Sequence, residues 1–552
     1  MTRPHPWEGQ YPPEIDWGSP VAQTSLPDLL ARAVADYRDR PFIEFRGREI
    51  TYGAFARLVD AAAARLRAAG VGPGVSVALY LPNTPWHPIS FFGVLRAGGR
   101  IVHLSPLDPP RVLAKKMADA DASILIATNL PPLFDAALHL RRSGAASLLI
   151  VGDDDVWGAS GIAAAIPDEA GIARWSDLSD APAGNDFPKL SPDDVALLQY
   201  TGGTTGFPKA AMLTHGNLTA AVSIYNLWNH ATFKRLNEED RVIGVLPLFH
   251  IYALTVVLLR ALDAGAMIML RPRFDPAQTL DDIEKLRATA FPGVPTMWIA
   301  LVNTPGIETR DLSSLRFVAS GGAPMPLEMR QRFNALTGLR LGGGWGMTET
   351  SPAGTALDAS REYPPGAIGV PLPGIEMDVV ALDDPTRVLK VGEVGELRVR
   401  GPNVFKGYWK RPEETAAAFV GDWFLTGDMG YMDEHGDFFI VDRKKDMIIS
   451  GGFNVYPRVI EEAVYEHPSV AECVALGIPD PYRGQAAKVY AVLRPGAPAP
   501  TFDELRDFLA DKLGKHEMPA AFEIRAELPK TNVGKLSRKE LLDEELARQA
   551  SA

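Results

Sequence analysis

"YTGGTTGFPK", Tyr200 to Lys209, packs three glycines and three threonines into ten residues and ends on a proline and a lysine. The flanking runs "VALLQY" and "AAMLTH" read as strands, so the stretch is a glycine-rich loop between two strands. Glycines let backbone N–H groups approach an anion, the hydroxyls of Thr201, Thr204 and Thr205 donate to phosphate oxygens, and Lys209 adds positive charge. A phosphate ligand is the first reading, and a plain surface hairpin is the alternative. A GxxxxGK[ST] loop opens a helix and places Lys-Ser/Thr directly after its last glycine. Here Phe207 and Pro208 follow Gly206, and Ala210 follows Lys209, so that motif is absent.

Outward from this loop the chain alternates between strand and helix patterns. "TYGAFARLVDAAAARLRAAG" puts Phe55, Leu58, Val59, Ala62 and Leu66 on one helical face and stops at Gly70. "GVSVALYLP", "RIVHLSP", "ASILIAT" and "SLLIVGD" read as buried strands and "FFGVLRAGG" as a helix, which implies a mostly parallel sheet with helices on both faces. "VIGVLPLFHIYALTVVLL" is long and apolar, but Pro247 and His250 interrupt it. It reads as a strand from Val242 to Leu246, a turn and a buried helix from about His250, followed by the strand "AMIML". Residues from about Gly152 to Pro192, rich in Ala, Asp, Ser, Gly and Pro, suit a surface connection. From about Gly369 short strands split by Gly and Asp predict a small β-barrel over about 369–440. After "DRKKD" helices and strands alternate again, as in a separate α+β domain.

The chain has 552 residues, more than one ordinary domain, and 46% of them are apolar. With 56 basic and 68 acidic side chains its net charge is −12, which argues against a nucleic-acid-coating surface and against electrostatic adsorption to an anionic membrane. The single cysteine, Cys473, excludes an internal disulfide and thiolate-rich metal sites, and its apolar surroundings make it a core residue. The N-terminal stretch lacks the apolar centre of a signal peptide, so a cytoplasmic protein without a transmembrane segment is expected; peripheral membrane contact is left open.

The glycine-rich loop resembles the phosphate-binding signature of the adenylate-forming superfamily, which includes acyl-CoA synthetases, peptide-synthetase adenylation domains and insect luciferases. Further signatures occur in that family's order: "LPLFH" (246–250), "ASGGAPMP" (319–326), "GWGMTETSP" (344–352), "TGD" (426–428), "VDRKKDMIISGGFNVYP" (441–457) and "PKTNVGK" (529–535). The likeness runs from about residue 25 to the end. It implies an α/β N-terminal domain of layered subdomains plus the β-barrel, residues 1–444, and a small mobile α+β lid, residues 445–552. It also implies a reaction. A carboxylate activates poorly because its oxygen leaves badly; ATP converts it to an acyl-adenylate with release of pyrophosphate, and CoA then displaces AMP.

The resemblance assigns roles residue by residue. Thr201, Gly202, Gly203, Thr204, Thr205, Gly206 and Lys209 would hold phosphate, with Thr205 among the catalytic groups. Glu349 is the hard oxygen ligand for Mg²⁺, and Thr348 contacts the α-phosphate beside Gly346. Adenine would lie between the Gly322–Ala323–Pro324 backbone and Trp345, where the family usually has tyrosine; an indole stacks equally well but loses any hydroxyl contact. Asp428 accepts the ribose hydroxyls, with Arg443 as second ribose contact. His250 sits beside the acyl carboxylate and the incoming thiol, although a satisfied core histidine is the alternative. Lys535, on a loop before the capping-box sequence "SRKE" of the last helix, bridges carboxylate and α-phosphate and is a target for a protein acetyltransferase in this family. Lys445 is the hinge about which the lid turns between the two half-reactions, bringing Gly451 and Gly452 toward the pantetheine.

The motifs most resemble those of bacterial fatty-acid–CoA ligases. "IYALTVVLL" and "FPGVPTMWIALV", where the family builds its acyl pocket, carry no charge, which favours an alkyl chain over an amino acid. A medium- or long-chain fatty acid is expected. An aryl or dicarboxylic acid, transfer to a separate carrier protein, and a non-catalytic nucleotide-binding protein are the alternatives.

Overall fold

A strand covered on both faces is an unbroken apolar run, and Ser76–Tyr80 is buried at every position. In this computed structural model, which describes residues 5–176, 187–201, 208–232, 235–322, 327–358, 363–364, 366–450, 453–530 and 536–550, that strand lies at the middle of a seven-stranded sheet. Its spatial order is Ile172–Arg174, Leu148–Gly152, Ala122–Thr128, Ser76–Tyr80, Arg100–His103, Val195–Tyr200, Ala210–Thr214. All neighbours are parallel except the last two, which pair antiparallel with Tyr200 opposite Ala210. The glycine-rich loop is therefore the connection of a hairpin, as its flanking runs predict.

The helix Tyr52–Ala68 starts where the Thr51 hydroxyl accepts from the Ala54 N–H, and it buries Phe55, Val59, Ala62 and Leu66. It crosses Trp86–Arg96 so closely that a Cβ on Gly93 would stand 2.9 Å from the Ala62 methyl. Only a glycine permits that approach.

A second sheet runs Phe317–Ser320, Ala290–Gly293, Arg241–Gly244, Met267–Leu270, Pro41–Phe45, Arg48–Thr51, parallel except for the final pair. The apolar stretch after Arg241 is thus a βαβ unit, as its sequence predicts. The strand Arg241–Gly244 leads to a helix that begins at Ile251, passes through a π-helical segment at Leu254–Leu259 and ends at Ala264 before Met267–Leu270. Among the described residues no helix is long and apolar enough to cross a membrane.

The chain divides into two compact units, one of residues 1–376 with 400–418 and another of 377–399 with 419–552. In the second, Trp423–Met432 pairs antiparallel with both Gly395–Arg400 and Phe438–Arg443. Its tail builds a sheet around the long pair Val470–Asp480 and Gly484–Leu493, packed by Pro457–Tyr465 and Phe502–Leu509. Cys473 is buried in that core, and burial pushes its thiol well up, away from reactive thiolate chemistry.

Candidate active site

The hairpin below the glycine-rich loop closes with the Thr201 N–H donating to the Lys209 carbonyl at 2.9 Å, and the Thr201 hydroxyl reaches the same oxygen at 3.3 Å. Thr201 thus helps to close the loop. Gly202, Gly203, Thr204, Thr205 and Gly206 lie outside the described residues. Strand Ala210–Thr214 takes a further partner on its other side. Trp409 donates to the Ala210 carbonyl, Met212 to that of Gly407 and Lys406 to that of Met212, each at 2.9 Å. Segment 406–409 is held along the strand in this way, and the Tyr408 ring lies 4.8 Å beneath the Lys209 ammonium.

Tyr408 reaches a second predicted residue. Its hydroxyl donates to Glu349 Oε1 at 3.0 Å, and the Phe405 N–H donates to the Glu349 carbonyl at 2.8 Å. Glu349 is 5% exposed and sits in the short turn Thr348–Thr350. Asn403, wholly buried, fixes that turn by donating to the carbonyls of Thr350 at 2.6 Å and Ala353 at 2.7 Å. Lys209 and Glu349, 140 positions apart in sequence, thus share one tyrosine as their connection. Nothing in "FKGYWKRP" marks Tyr408 except an aromatic pair after a glycine, and its role emerges only from the added strand.

The tight motif "GWGMTETSP" explains its own glycines. A Cβ at Gly344 would lie 2.1 Å from the Thr355 carbonyl oxygen, and one at Gly346 would lie 1.4 Å from that of Pro352. The backbone N–H of Trp345 donates to the Thr355 hydroxyl at 3.0 Å. Its indole is 8% exposed and rests on Gly354, whose Cβ would meet the ring at 2.4 Å. The structure therefore gives Trp345 a packing contact that the stacking expectation did not foresee. Gly322 is exposed and in a left-handed conformation (φ +79°), while Ala323 and Pro324 lie outside the described residues.

His250 caps the helix that follows it, because its Nδ1 accepts from the Tyr252 N–H at 3.2 Å. The segment before it is held from below. Asn83 donates to the carbonyls of Gly244 and Leu246 and accepts from the Leu248 N–H, and Gln199 donates to the Phe249 carbonyl at 3.0 Å. The Thr255 hydroxyl donates to the Ser351 carbonyl at 2.8 Å, and the Tyr252 ring covers Gly321, whose Cβ would stand 2.7 Å away. Three of the predicted motifs, "PLFH", "ASGG" and "MTETSP", meet here.

In the second unit Asp428 and Arg443 face each other across the antiparallel pair, with Arg443 Nε 2.5 Å from the carboxylate of the 1% exposed Asp428. Lys444 pairs with Glu396 at 2.7 Å, and Lys445 lies in the turn between Phe438–Arg443 and Ile448–Ser450. Beyond it, Arg538 Nη2 pairs with Glu461 at 2.7 Å, and its Nη1 stands 3.3 Å from both Asp442 and Asp446. Burial alone would lower Arg538, but Glu461 and Asp442 carry it upward. Gly451, Gly452 and Lys535 lie outside the described residues.

Among the described residues no group of three or more His, Cys, Asp or Glu forms a metal cage. A single buried carboxylate such as Glu349 fits a Mg²⁺ that takes one or two protein carboxylates and completes its shell with phosphate oxygens and water.

A sequence profile described as "AMP-binding enzyme" matches residues 30–409, and one described as "AMP-binding enzyme C-terminal domain" matches 459–535. The chain is 38% identical over 560 residues to a long-chain-fatty-acid–CoA ligase of Bacillus subtilis, covering 99% of each. It is 36% identical to a protein of the same name from Escherichia coli, covering 98% of each. Among solved structures, ATP-bound MatB from Rhodopseudomonas palustris superposes with a TM-score of 0.83 at 29% identity, over 94% of this chain and 99% of that one.

Proposed function

The chain belongs to the AMP-binding enzyme family, and from that premise we propose the course of its reaction. It is an AMP-forming acid–CoA ligase whose substrates are a small carboxylic acid, ATP and CoA. Our reading of the acid is a medium- or long-chain fatty acid, supported by relatives of that name across nearly the whole chain and by the uncharged run after Tyr252.

The observation that carries the mechanism is the line Lys209–Tyr408–Glu349, which sets a cation and a carboxylate beside the glycine-rich hairpin. Two anions must meet, the acid and the α-phosphate, and fixed charge lowers that barrier because it needs no reorganisation. Lys209 and the threonine-rich loop hold the phosphates, and Thr348 lies next to the α-phosphate. A Mg²⁺ bound through Glu349 would supply charge neutralisation on the triphosphate. His250 holds the acyl carboxylate at the start of its helix, while Asp428 and Arg443 orient the ribose. Lys535 bridges carboxylate and α-phosphate as pyrophosphate leaves. The lid, residues 445–552, then turns about Lys445, and the thiol of CoA displaces AMP past Gly451 and Gly452. Acetylation of Lys535 would remove its charge and stop the first step. We place the reaction in the cytoplasm.

ATP–pyrophosphate exchange dependent on a fatty acid tests the reading. Lys535→Ala should abolish exchange, a loss of at least roughly 3–4 kcal/mol of transition-state stabilisation, yet still convert a supplied acyl-adenylate to the thioester. Equal loss of both half-reactions would refute the two-conformation scheme, and transfer to a carrier protein but not to CoA would refute the choice of acceptor.

A further inference from the structure

Gln199 buries an amide where an apolar side chain would fill a strand end, and an amide is tolerated there only when both of its ends are paired. It is 5% exposed and stands one residue before the end of the strand Val195–Tyr200. Its Nε2 donates to the Phe249 carbonyl at 3.0 Å, and its Oε1 lies 3.0 Å from Nδ1 of His103, its partner across the parallel ladder. A backbone carbonyl only accepts, so the amide nitrogen faces Phe249 and the amide oxygen faces His103, which therefore carries its hydrogen on Nδ1. The other tautomer would set two acceptors face to face. It would also bury an N–H at Nε2, an atom with no hydrogen-bond partner among the described residues. The imidazole is 2% exposed and packs against the rings of His87 and Phe91, with centroids 5.2 and 5.8 Å away. Both ends of the Gln199 amide are thereby fixed.

The two bonds reach into separate parts of the proposed site. Along the backbone, Gln199 precedes Tyr200, which pairs with Ala210, and Thr201, whose N–H closes the glycine-rich hairpin on the Lys209 carbonyl. Through its side chain it holds the carbonyl immediately before His250. Asn83 grips the same segment earlier, at Gly244, Leu246 and Leu248, from the loop after Ser76–Tyr80. Gln199 ties the strand of the hairpin itself to the residue next to His250. Adenylation needs its reacting atoms about 3–3.5 Å apart, and a displacement of about 1 Å costs on the order of 100-fold in rate. The spacing between these two elements is thus a quantity on which the first step depends.

We propose that Gln199, its amide oriented by His103, is a positioning residue that sets the distance between the phosphate hairpin and His250, and so between the α-phosphate and the acyl carboxylate. The proposal rests on the ligase reading above, with His250 beside that carboxylate. Gln199 acts through the Phe249 carbonyl and touches neither reactant. Its loss therefore lowers kcat, because it misaligns groups that are still able to bind. His103 acts one step further back, by keeping the amide from turning over.

Fatty-acid-dependent ATP–pyrophosphate exchange is measured for the full chain, Gln199→Leu, His250→Ala and the double variant. Gln199→Leu should lose about 10- to 100-fold in kcat, with KM for ATP and for the acid held within about threefold. In the His250→Ala background the same change should cost less than about threefold, because two residues acting through one segment are not additive. An equal factor in both backgrounds, or unchanged kcat in folded Gln199→Leu, overturns the proposal. His103→Phe removes the Nδ1 donor and should lower kcat, whereas His103→Asn sets an amide N–H in its place and should restore it to within about threefold. No difference between these two removes His103 from the arrangement. If Gln199→Leu does not fold, the His103 pair decides alone. An inactive His250→Ala beside a fully active Gln199→Leu refutes only this inference. Full exchange by His250→Ala refutes the role given to His250, and exchange with no acid at all refutes the ligase reading beneath both.

Discussion

Tyr408 serves two charges of opposite sign with different parts of one side chain, its ring under Lys209 and its hydroxyl on Glu349. Tyr408→Phe keeps the first contact and deletes the second. A hydrogen bond to a charged group is worth about 1.5–3 kcal/mol, so acid-dependent pyrophosphate exchange should fall at least about tenfold while the melting temperature barely moves. Unchanged exchange in a folded variant would remove Tyr408 from the site. Glu349, Asp428 and Arg443 were expected in the site because each stands in a short motif that resembles the family's, and the structure adds their partners, Tyr408 for Glu349 and an ion pair between Asp428 and Arg443. Tyr408 carried no such signal, since it reaches a carboxylate 59 positions away through a strand pairing that leaves no periodic trace. The packing of Trp345 on Gly354 was not foreseen, because it depends on how the turn folds back.

Elements were more legible than residues. Buried parallel strands are mostly apolar, and so Ser76–Tyr80, Ala122–Thr128 and Met267–Leu270 announced themselves. The π-helical turn at Leu254–Leu259 did not, because a run apolar on every face carries no phase. The seven-stranded sheet also holds histidines that only the structure shows to be sealed. His103 contacts Gln199 on the neighbouring strand at 3.0 Å, and His215, which begins the helix after the hairpin, accepts from the Leu26 N–H at 3.2 Å. Burial draws both imidazoles from 6.5 down to about 4. The unfolded chain then binds more protons than the folded one between those values, so stability is full above about pH 6.5 and declines as pH falls. Each histidine should contribute roughly 2 kcal/mol of that loss by pH 5. Urea midpoints at pH 7.5, 6 and 5 should step downward, less steeply in His103→Gln; equal midpoints would show that these rings are hydrated.

At the scale of the molecule, two half-reactions must share one set of groups, and Arg538 bears on how they alternate. Asp442 precedes the proposed hinge at Lys445, whereas Arg538, Arg458 and Glu461 follow it. The Arg538–Asp442 contact and the Arg458 N–H to Asp442 bond at 2.7 Å must therefore break if the lid turns. Arg538→Ala should weaken the orientation seen here by about 1–2 kcal/mol, equivalent to a five- to thirtyfold shift. Single-turnover rates of adenylation and of thioester formation should then move in opposite directions. Parallel changes in both, or none, would mean that this cluster is not a latch. The cluster was not legible beforehand, because its members are spread over 96 positions and gather only when the tail folds.

The cap at His250 has a consequence for the second step of the proposed reaction. A neutral imidazole whose Nδ1 accepts from a backbone N–H carries its hydrogen on Nε2. If His250 faces the acyl group as proposed, the ring in that tautomer meets it as a donor and has no lone pair left for a thiol proton. The proton released as CoA attacks would then pass to water, the departing phosphate or another side chain rather than to this ring.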